Sequence, residues 1–96
     1  MALIAIRLHI FGKVQGVFFR QSTSEKAHSL ALSGYVRNRI NGFVEAFFEG
    51  EEEFINEMIT WCEKGPSLAI VKKIEIIEKK IIHSRSFTDF RIQKTF

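Results

Sequence analysis

An α+β sandwich, with two helices on one face of a four- to five-stranded, mainly antiparallel sheet, is the architecture this 96-residue sequence predicts. Three patterns carry it. Ile4, Ile6, Leu8 and Ile10 alternate with Ala5, Arg7, His9 and Phe11, the period of a strand with one buried face. Two later segments repeat apolar residues every three or four positions, as helices do. Between them the pair Asn41-Gly42 joins two β-prone runs, which is the strongest short hairpin signal.

After the first strand, Thr23, Ala27, Leu30 and Ala31 form the stripe of a first helix, with Arg20 at the edge of its first turn. Ser22-x-x-Glu25 has the spacing of a capping box, and Gly34 is the expected stop. Tyr35–Ile40 and Phe43–Glu49 follow as antiparallel neighbours, ended by Gly50. A two-residue turn at Asn41-Gly42 sets Ile40 opposite Phe43 and Asn38 opposite Glu45. Phe54, Ile55, Met58, Ile59 and Cys62 stripe a second helix, whose positive end suits Glu51, Glu52 and Glu53 and which Gly65-Pro66 terminates. Ala69–Glu78 and Phe87–Ile92 read as strands, joined by a connection over Lys79–Ser86. This is the split βαβ order, in which the helices cover one face of the sheet and the other faces water.

No linker, repeat or low-complexity segment divides the chain, so residues 1–96 are expected to form one domain. With 46% hydrophobic residues, ten of them phenylalanine, that domain needs neither disulfides nor metal to bury a core, and a charged fraction of 26% argues against disorder. Cys62 is the single cysteine and has no partner for a disulfide or a zinc site. The N-terminal run carries Arg7 and His9, unlike a secretory signal, and no apolar run reaches the length of a membrane span. A cytoplasmic protein without membrane attachment is the expectation. A net charge of +3 and a pI near 9.2 favour anionic partners without choosing between small anions and nucleic acid.

The segment Gly12-Lys13-Val14-Gln15-Gly16-Val17-Phe18-Phe19-Arg20 lies between the first strand and the first helix. Glycines there let successive N–H groups turn toward one point, and the start of a helix adds its positive field, so such a turn can cradle a phosphate. Arg20 adds a planar, permanent charge that donates two parallel hydrogen bonds. By itself Gly-x-x-x-Gly is a weak signal, because glycines commonly mark turns. A nucleotide P-loop is excluded, since Gly16 is followed by Val17-Phe18 and not by Lys-Ser/Thr.

The wider pattern is more specific. Gly12-x-Val14-Gln15-Gly16-Val17-x-Phe19-Arg20, then Gly34-Tyr35-Val36-Arg37-Asn38, Asn41-Gly42-x-Val44-Glu45-Ala46, Gly50, Trp61-Cys62, Gly65-Pro66 and Ala69-x-Val71 closely resemble the acylphosphatase family over nearly the whole chain. Tyr35 stands where the family often has tryptophan, and Ala31 where it often has glycine. The resemblance implies a ferredoxin-like sandwich and hydrolysis of the mixed anhydride between a carboxylic acid and phosphate. It implies that the backbone amides of Gln15, Gly16, Val17, Phe18 and Phe19 and the side chain of Arg20 hold the phosphoryl group, and that Asn38 holds the attacking water. An amide suits that role because it both donates and accepts. Read without the family, Asn38 would be a strand asparagine bonded to neighbouring backbone. Neither metal nor organic cofactor is expected, no His, Cys and carboxylate cluster having ligand spacing. The partners implied are a small acyl phosphate and inorganic phosphate, and a monomer is the expectation.

Other residues invite plainer readings. Cys62 belongs to an apolar stripe, Trp61 to packing, His28 and His83 to the surface, and Lys72, Lys73, Lys79 and Lys80 to a solvated face. Arg37 and Arg39 are either anion-steering or ordinary strand charges. The rival from another class is an RNA-binding module of the same element order, since Asn41-Gly42-Phe43-Val44-Glu45-Ala46-Phe47-Phe48 faintly echoes its aromatic strand. Glu45 between Phe43 and Phe47 would repel a phosphodiester backbone, and no nucleic acid is expected. A second rival is an acylphosphatase-like domain that has lost its activity, against which the presence of both Arg20 and Asn38 counts.

Overall fold

A computed structural model describes residues 2–96. The order is β1 (Leu3–Lys13), α1 (Phe19–Ser29), β2 (Ser33–Asn38), β3 (Val44–Glu51), α2 (Glu52–Lys64), β4 (Ile70–Ile82) and β5 (Phe90–Ile92). The strands form one sheet in the order β4-β1-β3-β2-β5, antiparallel except for the β2–β5 pair. Ile4, Ile6, Leu8 and Ile10 of β1 meet Val36, Val44, Ala46 and Phe48 in the main core. Phe19, Thr23 and Ala27 of α1 and Ile55, Met58 and Cys62 of α2 close over that side of the sheet.

Both ends of α1 differ from the expectation. Ser22 lies inside the first turn, and the residue before the helix is Phe18, in the left-handed region at φ 63° and ψ 24°, with no side-chain cap. Glu25 therefore completes no capping box. At the other end the chain turns at Ala31 (φ 54°), where the N–H of Leu32 bonds the carbonyl of Ala27 at 3.0 Å and that of Ala31 bonds His28 at 3.1 Å. This is a Schellman closure with alanine at the position that usually holds glycine. Gly34 instead sits inside β2, where a Cβ would stand 1.9 Å from the carbonyl oxygen of Phe47. Its absent side chain serves strand pairing, not helix termination.

The hairpin forms at Asn41-Gly42 in a different register. Arg37 opposes Glu45 and Asn38 opposes Val44. The N–H of Arg39 bonds Phe43 at 2.8 Å, and the N–H of Gly42 closes the turn onto Arg39 at 2.9 Å. Three residues, Ile40, Asn41 and Gly42, thus make the loop in place of two, an alternative that an Asn-Gly pair also permits. Because side chains alternate between faces, this single step decides the environment of Asn38: it shares the helix-covered face with Val36 and Val44, not the face of Glu45.

β4 extends to Ile82, so Lys79, Lys80, Ile81 and Ile82 belong to the strand and not to a turn. It keeps pace with β1 through register shifts between Arg7 and Leu8 and between Phe11 and Gly12. β5 is shorter than expected, beginning at Phe90. The second face of the sheet is not simply wet. Ala5, Tyr35 and Phe47 form a smaller buried cluster there, covered by Phe87 with ring centroids 5.8 Å from Tyr35 and 5.7 Å from Phe47. The buried carboxylate of Glu49 holds that covering loop by accepting from the N–H groups of Ser86 and Phe87 at 2.9–3.0 Å.

Candidate active site

Five residues, Val14 to Phe18, join β1 to α1. Gly16 (φ 73°) and Phe18 (φ 63°) take positive φ on either side of Val17, which does not. Such alternation turns consecutive N–H groups toward one side of the chain, forming a concavity for an anion. Among the described residues, the N–H groups of Gln15, Gly16, Val17 and Phe18 find no backbone acceptor. The first turn of α1 contains no acidic residue to occupy its positive end.

Packing fixes the loop from both flanks. Val14 and Val17 are buried in the core, and Phe19 sets its ring edge-on to Trp61 with centroids 5.8 Å apart. The Gln15 side chain turns away from the concavity and donates Nε2–H bonds to the carbonyls of Arg39 at 2.9 Å and Phe43 at 3.0 Å. The loop is thereby tied to the β2–β3 turn, one residue beyond Asn38.

Val14, Gly16, Phe18, Phe19, Arg20, Gln21, Asn38 and Ile92 line a cleft of about 380 Å³. It gathers Gly16, Phe18, Phe19, Arg20 and Asn38 of the residues singled out from the sequence. The side chains of Gln15 and Val17 are outside it, so only their backbone can contribute. Arg20 is partly buried, and among the described residues no carboxylate lies within 4.0 Å of it. The Oδ1 of Asn38 is buried with no hydrogen-bond partner. A buried acceptor left open costs on the order of 1–3 kcal/mol, so the Asn38 amide is held at a cost that its own chain does not offset. The sequence did not point to Gln21 or Ile92. β5 brings Ile92 beside Val36 through a parallel pairing that a three-residue strand scarcely announces.

The opposite face of β2 holds a second polar group. Glu45, almost fully buried, accepts from Tyr35 Oη, from Arg39 Nη1, from Arg37 Nη2 at 3.1 Å and from Arg7 Nη1 at 3.4 Å. Burial pushes its carboxyl up, but the Tyr35 and Arg39 hydrogen bonds and the charges of Arg37 and Arg39 outweigh that and hold it below the usual range. Tyr35 is pushed up to about 12, first by burial and then by its bond to Glu45. Arg37 and Arg39 are therefore structural charges, and the Tyr35 hydroxyl helps satisfy Glu45. Cys62 lies wholly inside the core, where burial pushes its thiol far up and makes it a packing residue. Among the described residues no cluster of three His, Cys, Asp or Glu could hold a metal ion, and no helix is long and apolar enough to cross a membrane.

Fold and cleft define a ferredoxin-like α/β sandwich with its candidate oxyanion site at a strand-to-helix turn. The family model for acylphosphatase matches residues 6–92. The chain is 47% identical over 88 residues to an acylphosphatase of Syntrophus aciditrophicus, covering 90% of each, and 43% identical over 89 residues to one of Acaryochloris marina, covering 93% of this chain and 96% of that one. The solved structure of an acylphosphatase from Coxiella burnetii superposes with a TM-score of 0.84 at 36% identity, covering 96% of this chain and 94% of the other. The chain belongs to the acylphosphatase family, a family of hydrolases.

Proposed function

We propose that the chain hydrolyses small acyl phosphates to carboxylate and inorganic phosphate, and that the cleft between the β1–α1 turn and β2 is where it does so. One observation carries the reading: Arg20, with no carboxylate within 4.0 Å among the described residues, and Asn38 line the same cleft as the β1–α1 turn, whose N–H groups have no backbone acceptor.

In this reading the N–H groups of Gln15 to Phe19 and the fork of Arg20 bind the non-bridging phosphoryl oxygens. Their charge grows or is redistributed in the transition state, and donors already fixed in place need no reorganisation. The Asn38 side-chain amide hydrogen-bonds a water and aligns its oxygen with phosphorus, opposite the acyl oxygen. The new bond joins water oxygen to phosphorus, and the bond that breaks joins phosphorus to the acyl oxygen. The electron pair leaves on the carboxylate, and a water proton passes to phosphate or solvent. A carboxylate is stable enough to depart without a protein acid, so the positioning of water and charge suffices. Gln15 serves this arrangement from outside the cleft, because its side chain links the anion cradle to the turn that follows Asn38.

A single cytoplasmic, monomeric domain is the form in which we expect this activity. The nucleic-acid reading is opposed by two observations: Phe47 is covered by Tyr35 and Phe87, and the arginines near it are spent on Glu45. A continuous assay with benzoyl phosphate, run with and without a chelator, tests the proposal. Rapid hydrolysis unaffected by the chelator supports it. Oligonucleotide binding without hydrolysis would replace it with the RNA-binding reading.

A further inference from the structure

The end of β2 that carries Asn38 is gripped from three directions. β3 opposes Asn38 with Val44, and the Gln15 side chain bonds the next carbonyl, that of Arg39. The third grip comes from beyond the last strand. β5 ends at Ile92, but residues 93–96 run on beside β2, where the N–H of Gln93 bonds the carbonyl of Val36 at 2.9 Å. The N–H of Phe96 then bonds the carbonyl of Asn38 at 3.0 Å, and its own carbonyl accepts from the N–H of Ile40 at 3.1 Å and from Arg39 Nε at 3.2 Å.

These bonds complement those of the sheet. Successive residues of an extended chain direct their backbone groups to opposite sides, so the N–H of Arg39 goes to Phe43 while the groups of Asn38 and Ile40 go to Phe96. Without Phe96 the end of β2 would be held along one edge only. The side chain shows what keeps Phe96 there. It is 65% exposed, so burial of the ring contributes little. Its centroid instead lies 4.5 Å from the guanidinium carbon of Arg37 and 5.4 Å from that of Arg39, within the range at which a cation is attracted to a ring face. Both guanidiniums are themselves anchored on the buried carboxylate of Glu45. The polar cluster on the open face of the sheet thus reaches Asn38 through Phe96.

We infer that Phe96 is a positioning residue: its ring, seated on Arg37 and Arg39, fixes the main chain at Asn38 and so orients the amide that holds the water. This inference rests on the acyl phosphate reading above. Among the described residues no hydrogen bond joins Phe96 to the β1–α1 turn, so the phosphate cradle does not depend on it. A small displacement of Asn38 should therefore cost turnover and leave anion affinity in place.

The test measures kcat for benzoyl phosphate, the inhibition constant of phosphate, Tm and the Asn38 side-chain amide resonance in Phe96→Ala, Phe96→Leu and Phe96→Tyr. Phe87→Leu, in the second cluster, is the control for lost stability alone. In Phe96→Ala kcat should fall about 5- to 30-fold with phosphate inhibition changed less than about 2-fold, and the Asn38 resonance should shift or broaden. Tyrosine, which keeps a ring face, should restore both, whereas leucine, which keeps only apolar bulk, should not. Phe87→Leu should lower Tm and leave kcat and that resonance near those of the wild type. An unchanged kcat in Phe96→Ala, a parallel loss of phosphate affinity, full rescue by leucine, or an equal loss of kcat in Phe87→Leu would overturn the positioning role while leaving the hydrolase reading standing. A wild type that does not hydrolyse benzoyl phosphate would remove that reading, and the positioning role with it.

Discussion

Guanidinium groups gather on both faces of β2, and the two gatherings differ in what neutralises them. On the helix-covered face Arg20 lines a cleft with no carboxylate within 4.0 Å. On the opposite face Arg7, Arg37 and Arg39 converge on the single buried carboxylate of Glu45. Positive charge is available to a ligand only where the chain has not already supplied the anion. Three of these four arginines are therefore engaged by the chain's own carboxylate, and Arg20 is not. Gln15 connects the two regions, since it bonds the carbonyl of Arg39, whose guanidinium bonds Glu45.

The largest effect should come from the free arginine. Arg20→Lys keeps the charge but loses the two-pronged geometry, and kcat/KM is expected to fall roughly 10³- to 10⁵-fold together with phosphate affinity. With no ion pair to lose, its Tm should stay near that of the wild type. A variant that still binds phosphate normally would move the anion site elsewhere. Asn38→Ala should lower kcat about 10²- to 10⁴-fold while the inhibition constant of phosphate changes little, as befits a group that holds the nucleophile. Equal weakening of phosphate binding would make Asn38 part of the cradle.

Breaking the other gathering should act on stability. Glu45→Gln leaves three guanidiniums without their carboxylate and should cost about 2–3 kcal/mol, less than for a sealed ion pair because the arginines keep some contact with water. Calorimetry should show a Tm lower by roughly 8–20 °C. The pH dependence has a definite sign. Glu45 is held below its ordinary 4.5 in the folded state, and His9, which burial lowers from 6.5, is likewise. For both groups the unfolded chain binds the proton more readily, so stability is complete above the unfolded values and is lost as pH falls through the folded ones. Unfolding measured from pH 7 downward should show a first decline below about 6.5 and a second below about 4.5, and Glu45→Gln should remove the second. A variant as acid-sensitive as the wild type would dissociate acid sensitivity from Glu45.

The smallest effect concerns the link. Gln15→Met preserves bulk but removes the donor that ties the cradle to the β2–β3 turn, so kcat should fall about 5- to 20-fold with a smaller change in phosphate affinity. Parallel changes in kcat and affinity would confine Gln15 to shaping the loop.

Much of this arrangement was legible in the sequence for a physical reason. The alternation of Ile4, Ile6, Leu8 and Ile10, the helical stripe through Ile55, Met58 and Cys62, and the Gly65-Pro66 stop are local patterns, and the elements follow them. The ends of α1 were not legible, because its start is set by a backbone conformation at Phe18 and its stop by Ala31, neither of which carries the usual residue type. The hairpin was expected in its place but one register step away, since Asn-Gly serves both a two-residue and a three-residue loop. Glu45 was read only as a charge between Phe43 and Phe47 that would repel a phosphodiester backbone, because its partners, Arg7 among them, come from across the sheet. The loop and Asn38 were singled out by family pattern, and only the observed register explains why they meet: it turns Asn38 toward α1 rather than toward Glu45.

Titrating inorganic phosphate into isotope-labelled protein and following the amide resonances tests the central claim most directly. Saturable shifts are predicted for the backbone N–H groups of Gln15 to Arg20 and for the side-chain amide of Asn38, with Arg37 and Arg39 on the far face unmoved. Shifts centred on Arg37, Arg39 and their neighbours, with the β1–α1 turn silent, would contradict the account.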